Sequence, residues 1–177
     1  PSNIDGAKHA WAILALLVKE FRKHWPDVII IFRADSGFCR DRIFTWCDKN
    51  QVFYIVAMAK NSVLRKKARK NEKKAAKRYY MDGESGIAFG HFGYKASSWK
   101  SKRKMVVKTE RIEGSSSSRF LVTNLPWGAE VLYSELYCPR GNMENGIKQV
   151  QLDLFSDRTS CNDWWANQFR NLLSALA

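Results

Sequence analysis

With 177 residues, 45% hydrophobic and 13% aromatic, the chain carries enough apolar material for one folded domain with a sizeable core, which excludes the disordered class. Thirty Lys and Arg against seventeen Asp and Glu leave a formal charge of +13, which points to a polyanionic partner: nucleic acid first, an anionic membrane surface second. The longest apolar run, residues 10–18, stops at Lys19 and Glu20, short of the roughly 20 residues of a membrane span, and it lacks the flanks of a signal peptide.

In chain order, Trp11, Leu14, Leu17, Val18 and Phe21 recur at helical spacing, predicting an amphipathic helix over residues 7–24 that Pro26 and Asp27 end. The β-branched run at 28–32 predicts a strand buried on both faces. A turn at 33–37, a short helix over 41–50 and a second buried strand at 52–57 complete a βαβ unit, so the first third reads as α/β. Between residues 60 and 78, ten of nineteen positions are Lys or Arg, which suits a solvated basic helix. Residues 83–93 are glycine-rich and read as turns. Residues 104–108 and 119–123 read as hairpin strands joined by a loop at 114–118. Helical spacing returns over 139–155 and 160–177, where Ser160 and Asp163 suggest a capping box and Trp164, Trp165 and Phe169 suggest a core anchor.

The four cysteines, Cys39, Cys47, Cys138 and Cys161, form no C-x-x-C pair, so neither a zinc nor a redox motif is expected, and the plain reading is a cytosolic protein with free thiols. The Ser and Cys residues lack a His partner for nucleophilic catalysis. The chain starts at Pro1 rather than Met and stops inside a helical pattern, so both ends are expected to be cuts in a longer protein.

Two carboxylates stand out. Asp35 follows a strand and precedes Ser36-Gly37, at the strand end where α/β sheets open onto their ligand crevice; it could ligate a hard cation or simply cap the next turn. Glu144 shares an arc of about 80° with Arg140, Lys148 and Gln151 if a helix starts near Pro139. Such a face could hold a metal and a phosphate together, or be an exposed Arg–Glu pair.

The blocks Arg33-Ala34-Asp35-Ser36-Gly37-Phe38-Cys39-Arg40, Tyr137-x2-Arg140-Gly141-x2-Glu144-Asn145-x-Ile147-Lys148 and Asp153-Leu154-Phe155-x-Asp157-Arg158-Thr159-Ser160-Cys161 resemble the IS1380-type DDE transposases, within the IS4-like group that has a Tyr-x2-Arg-x3-Glu signature. The resemblance covers nearly the whole chain. It implies a ribonuclease H-like core, partial here, with residues 1–60 as α/β core, about 61–132 as a basic, β-rich insertion before the last catalytic helix, and 133–177 as the C-terminal core helices. It implies Asp35 as the second catalytic acid and Glu144 as the third, together holding two Mg²⁺ or Mn²⁺ ions, with the first acid on a strand before Pro1. Asp5 precedes a helix and does not replace it. Tyr137 and Arg140 would lie near the DNA ends. The family's Lys seven positions after the Glu is here Gln151, and Lys148 on the same face could take its phosphate.

The implied activity is metal-dependent cleavage and strand transfer at insertion-sequence ends, by a nucleoid-associated bacterial protein acting as a homodimer on double-stranded DNA, with no membrane partner. Arg65, Lys66, Lys67, Arg69 and Lys70 would neutralise phosphates, and Trp99, among Lys95, Lys100, Lys102 and Arg103, would stack on a base or serve as packing. The alternatives are a nuclease of the same fold and a truncated, non-catalytic DNA-binding remnant.

Overall fold

The computed structural model describes Asp5 and residues 7–83, 86–153 and 160–176; the side chains of Asp82, Arg140, Met143, Glu144, Asp153, Ala175 and Leu176 lie outside that description. The chain forms two compact units, Pro1–Tyr137 and Cys138–Ala177.

The first unit is α/β. Its elements are α1 (Ala10–His24), β1 (Ile31–Ala34), a 3-10 turn (Ser36–Phe38), α2 (Asp41–Lys49), β2 (Phe53–Met58), α3 (Ser62–Asp82), β3 (Gly86–Tyr94), β4 (Arg103–Ile112), β5 (Ser115–Thr123) and α4 (Ala129–Val131), which continues as a π-helical turn, Leu132–Tyr137. The strands form one mixed sheet in the order β1-β2-β5-β4-β3. β1 and β2 are parallel, and every other neighbouring pair is antiparallel. The β-rich middle of the chain therefore extends the sheet that β1 and β2 begin, through the pairing of β5 with β2. This mixed sheet is compatible with a ribonuclease H-like fold.

Period-2 alternation sorts the strand side chains onto two cores. Tyr54, Val56, Met105, Val107, Phe120 and Val122 meet Leu14 and Val18 of α1, Ile43, Phe44 and Cys47 of α2, and Leu64 and Ala68 of α3. Ile55, Val106 and Leu121 face the other way, onto Leu125, Leu132 and Tyr133. β2 is buried on both faces, as its apolar run predicts.

β1 is not. Its ladder begins at Ile31, opposite Phe53, with the Ile30 carbonyl accepting from the Phe53 N–H at 2.9 Å, and Val28 and Ile29 stay exposed. α1 likewise turns only part of its apolar stripe inward: Ile13, Leu16, Leu17 and Phe21 are exposed. Among the described residues no helix is long and apolar enough to cross a membrane.

The glycine-rich stretch expected as turns is instead β3, and its small residues have a structural purpose. Gly86, Ala88 and Gly90 share one face of the strand, and α3 settles closely upon them. A Cβ on Gly86 would stand 1.9 Å from the Ala75 carbonyl oxygen, and one on Gly90 would meet the Asn71 side chain at 2.5 Å. Buried Asn71 donates to the carbonyls of Ala88 (3.3 Å) and Val107 (3.4 Å). Replacing a strand glycine by Ala ordinarily stabilises. Here Gly86→Ala should destabilise by about 1–3 kcal/mol through overpacking. An unchanged denaturation midpoint would show that α3 lies farther from β3.

The basic helix is present and longer than its charged run. Asn61 caps it, accepting from the Leu64 N–H at 2.9 Å, and Gly83 closes it with a left-handed φ of 79°. It is not solvated all round: Leu64, Ala68, Asn71 and Ala75 make a buried stripe of small or apolar residues.

In the second unit, a 3-10 turn (Cys138–Arg140) precedes α5 (Gly141–Asp153), and α6 spans Trp164–Leu176. The Asp163 side chain, not a Ser160 box, caps α6 by accepting from the Trp165 N–H at 2.9 Å. Trp164, Trp165 and Phe169 are exposed, contrary to a core anchor: none is less than 58% accessible.

Candidate functional site

Asp35 leaves the carboxyl end of β1 with extended backbone and begins the 3-10 turn. Its Oδ1 accepts from the Gly37 N–H at 2.8 Å, and the missing Gly37 side chain keeps that approach open, since a Cβ would come within 3.0 Å of the oxygen. Oδ2 makes no hydrogen bond among the described residues, and Asp35 is exposed. The residue thus does both things its sequence suggests. One oxygen shapes the turn and holds the carboxylate still; the other faces solvent, free for a hard cation.

Beside it, the Arg33 guanidinium donates to the Leu136 carbonyl at 2.8 Å, across 103 positions of sequence. This bond ties the end of β1 to the π-helical turn that finishes at Tyr137. Tyr137 itself is half-buried against the second core, its ring 6.0 Å from that of Tyr133. Asp5 is held elsewhere: it accepts from the Ala7 N–H at 3.0 Å and from Arg40 at 2.9 Å, and the Ala7 bond, then Arg40, lowers its pKa.

The side chains of Arg140 and Glu144 lie outside the described residues. Their backbones fall in different elements, Arg140 in the 3-10 turn and Glu144 in α5, so a uniform 100° step does not run from one to the other. Lys148 and Gln151 are exposed on α5. Among the described residues no three His, Cys, Asp or Glu side chains gather in one place.

Arg65, Lys66, Lys67, Arg69 and Lys70 are all exposed on α3, and among the described residues none of them forms an ion pair. Lys67, Lys70 and Lys74 border a cleft of about 380 Å³ against Gly90, His91 and Phe92 of the edge strand β3. Their unneutralised charges make this face of the first unit a natural surface for phosphates.

Trp99 is a correction. It is 5% exposed and makes edge-on contacts with Phe44 (5.7 Å between ring centroids) and Tyr94 (5.6 Å), so no base can stack on it. The basic residues around it in sequence give a misleading signal, because Arg103 is buried too. Its Nη1 donates to Asp48 (2.6 Å) and the Tyr54 hydroxyl (2.8 Å), and its Nη2 to Asp41 (3.1 Å) and Thr45 (3.3 Å). Burial works against the Arg103 charge, but the hydrogen bond it donates to Asp48, the electrostatic attraction of Tyr54 and the bonds it donates to Asp41 and Tyr54 outweigh it and raise its pKa. Asp41, Thr45 and Asp48 line one face of α2, a polar stripe at helical spacing that was the available sequence clue. All four cysteines are free, and burial pushes Cys39 up to about 11 and Cys47 up to about 12, so neither is a thiolate near neutral pH.

The family described as Transposase DDE domain group 1 matches residues 1–177. The chain belongs to that family. No curated protein matches it. DDE transposases are in general DNA phosphoryl-transfer enzymes that bind DNA and use divalent metal ions. The exposed Oδ2 of Asp35, on a rigid strand end, is an oxygen donor of the type such ions take. The transposase domain thus joins a candidate ligand and a basic helix within one unit.

Proposed function

We propose that this transposase domain is of the IS1380 type and cleaves and joins DNA strands at insertion-sequence ends, with Asp35 and Glu144 as its second and third metal-binding acids. The observation that carries the reading is the Asp35 carboxylate: one oxygen fixed by Gly37, the other open, beside an Arg33 bond that anchors the lead into the signature helix. The first acid would sit on a further strand pairing with the open edge of β1. The exposed Val28 and Ile29, which lead into β1, support an additional layer there. Two Mg²⁺ or Mn²⁺ ions held by the three acids would activate the attacking water or 3′-hydroxyl and stabilise the leaving oxygen. Arg140 and Lys148 would hold phosphate oxygens, Lys148 serving where Gln151 replaces the family lysine. Tyr137 would lie near the DNA ends. Two copies would pair those ends, in association with the bacterial nucleoid.

Strand cleavage tests the proposal. In a transposase carrying all three acids, Asp35→Asn must remove metal-dependent nicking at element ends, and retained nicking overturns the assignment.

The basic helix gives a second measurement. With about five phosphate contacts, duplex affinity should fall on the order of 10²–10³-fold between about 50 and 200 mM salt. Lys66→Gln, Lys70→Gln and Lys73→Gln should each flatten the logarithmic slope by about 1 and weaken all sequences alike. Affinity indifferent to salt would remove α3 from the DNA interface.

A further inference from the structure

A cleft of the first unit shares no lining residue with the Asp35 turn or with α3. It runs between α1 and α2, holds about 460 Å³, and is lined by Trp11, Asp41, Arg42, Trp46, Lys49 and Lys100. The volume falls in the range of small-ligand sites, about 300–1,000 Å³. Trp11 and Trp46 are only partly buried against the core, and both line the cleft, so its apolar wall includes two indoles. The Arg42 guanidinium lies over the Trp11 ring, 4.1 Å from its centroid, which holds the cation at the cleft. Three cations face a single carboxylate. That carboxylate, Asp41, is already engaged by Arg103 at 3.1 Å and by the Lys100 backbone N–H at 3.3 Å.

Flat apolar walls under a cationic rim suit a planar aromatic group that carries negative charge. A nucleotide has both parts, and stacking on aromatic rings is how unpaired bases are held without sequence preference. Paired bases are closed within the duplex stack and cannot enter a cleft of this size. We propose that the cleft between α1 and α2 binds one unpaired nucleotide of single-stranded DNA, its base against Trp46 and beside the Arg42–Trp11 stack, and its phosphates on Arg42, Lys49 and Lys100. The inference rests on the DNA reading above but uses none of the residues that reading assigns.

The test uses the 177-residue chain and a fluorescent oligothymidylate containing 5-iodouracil, with a duplex of equal length for comparison. Ultraviolet crosslinks should map to Trp46 or Trp11. Trp46→Leu should weaken single-strand binding about tenfold while changing duplex affinity by less than about twofold. Because Trp46 also packs on the core, the pair Lys49→Gln and Lys100→Gln, at exposed positions, supplies an independent arm and should lower single-strand affinity with no change in thermal midpoint. If crosslinks map elsewhere and both variants bind single strands as the parent does, the cleft proposal is wrong, while salt-sensitive duplex binding through α3 preserves the DNA reading. If neither duplex nor single strand binds, the DNA reading falls and the cleft proposal with it.

Discussion

Asp35→Asn in a complete transposase is expected to lower strand cleavage by at least about 10²–10³-fold, the scale of losing one preorganised electrostatic group from an active site. Binding to element ends should survive. The substitution separates the two tasks the carboxylate performs. Asn retains a side-chain oxygen that can accept from the Gly37 N–H, so the turn after β1 persists. What disappears is the negative charge on the exposed oxygen, which a divalent ion requires and a folded chain does not. Asp35→Ala would lose both the turn and the charge, and its larger effect on stability would blur the readout. If the first acid lies on a strand before Pro1, as proposed above, the 177-residue chain alone should not cleave, whatever metal is supplied. Mg²⁺-dependent cleavage by that chain, lost in Asp35→Asn, would place a full set of acids within these residues and remove the need for a strand at the edge of β1.

The parts of this architecture that were legible in the sequence are those whose signal is local. β2 is a central strand with both faces covered, and its unbroken apolar run says so. α3 announces itself through its charge, although only three-dimensional packing reveals why Leu64, Ala68, Asn71 and Ala75 interrupt that charge. β3 defeats a local reading because its glycines and alanine answer to a helix many residues away; without α3 above them, Gly86 and Gly90 look like turns. Arg103 and Trp99 mislead for a related reason. They sit in a stretch of lysines that reads as solvated, yet both turn inward toward partners on α2, β2 and β3. Asp35 was legible as a strand-end acid, while the bond from Arg33 to Leu136, spanning most of the chain, had no local trace.

Arg103→Leu should cost about 3–5 kcal/mol of stability, the largest effect expected of any single core change described above. The guanidinium side chain is 4% exposed, and it joins the start of β4 to three positions on α2 and to the hydroxyl of Tyr54 on β2. It also lies over the rings of Phe44 and Tyr54, at 5.2 and 5.9 Å. Leucine fills part of the volume but removes the only donor, among the described residues, to Asp41 Oδ1 and to the buried Tyr54 hydroxyl. The Asp41 side chain, 13% exposed, is left with its charge uncompensated and only the Lys100 N–H and the Thr45 hydroxyl on Oδ2, and that desolvated remainder supplies most of the loss. Asp48 is 41% exposed and can turn to water, so Asp48→Asn should be far milder. Arg103→Lys keeps the charge but cannot reach both acids with one ammonium, and should fall between. For a domain of this length, the leucine variant should melt about 6–20 °C lower, at about 2–4 °C per kcal/mol. Converting Asp41 to Asn in the Arg103→Leu background removes the stranded charge and should recover part of the loss. If Arg103→Leu unfolds within about 1 kcal/mol of the parent, or if the second substitution recovers nothing, α2 is held by its apolar face alone. The geometry argues otherwise: α2 follows directly on the Asp35 turn, and the Arg103 bonds are what fix its polar side against the sheet.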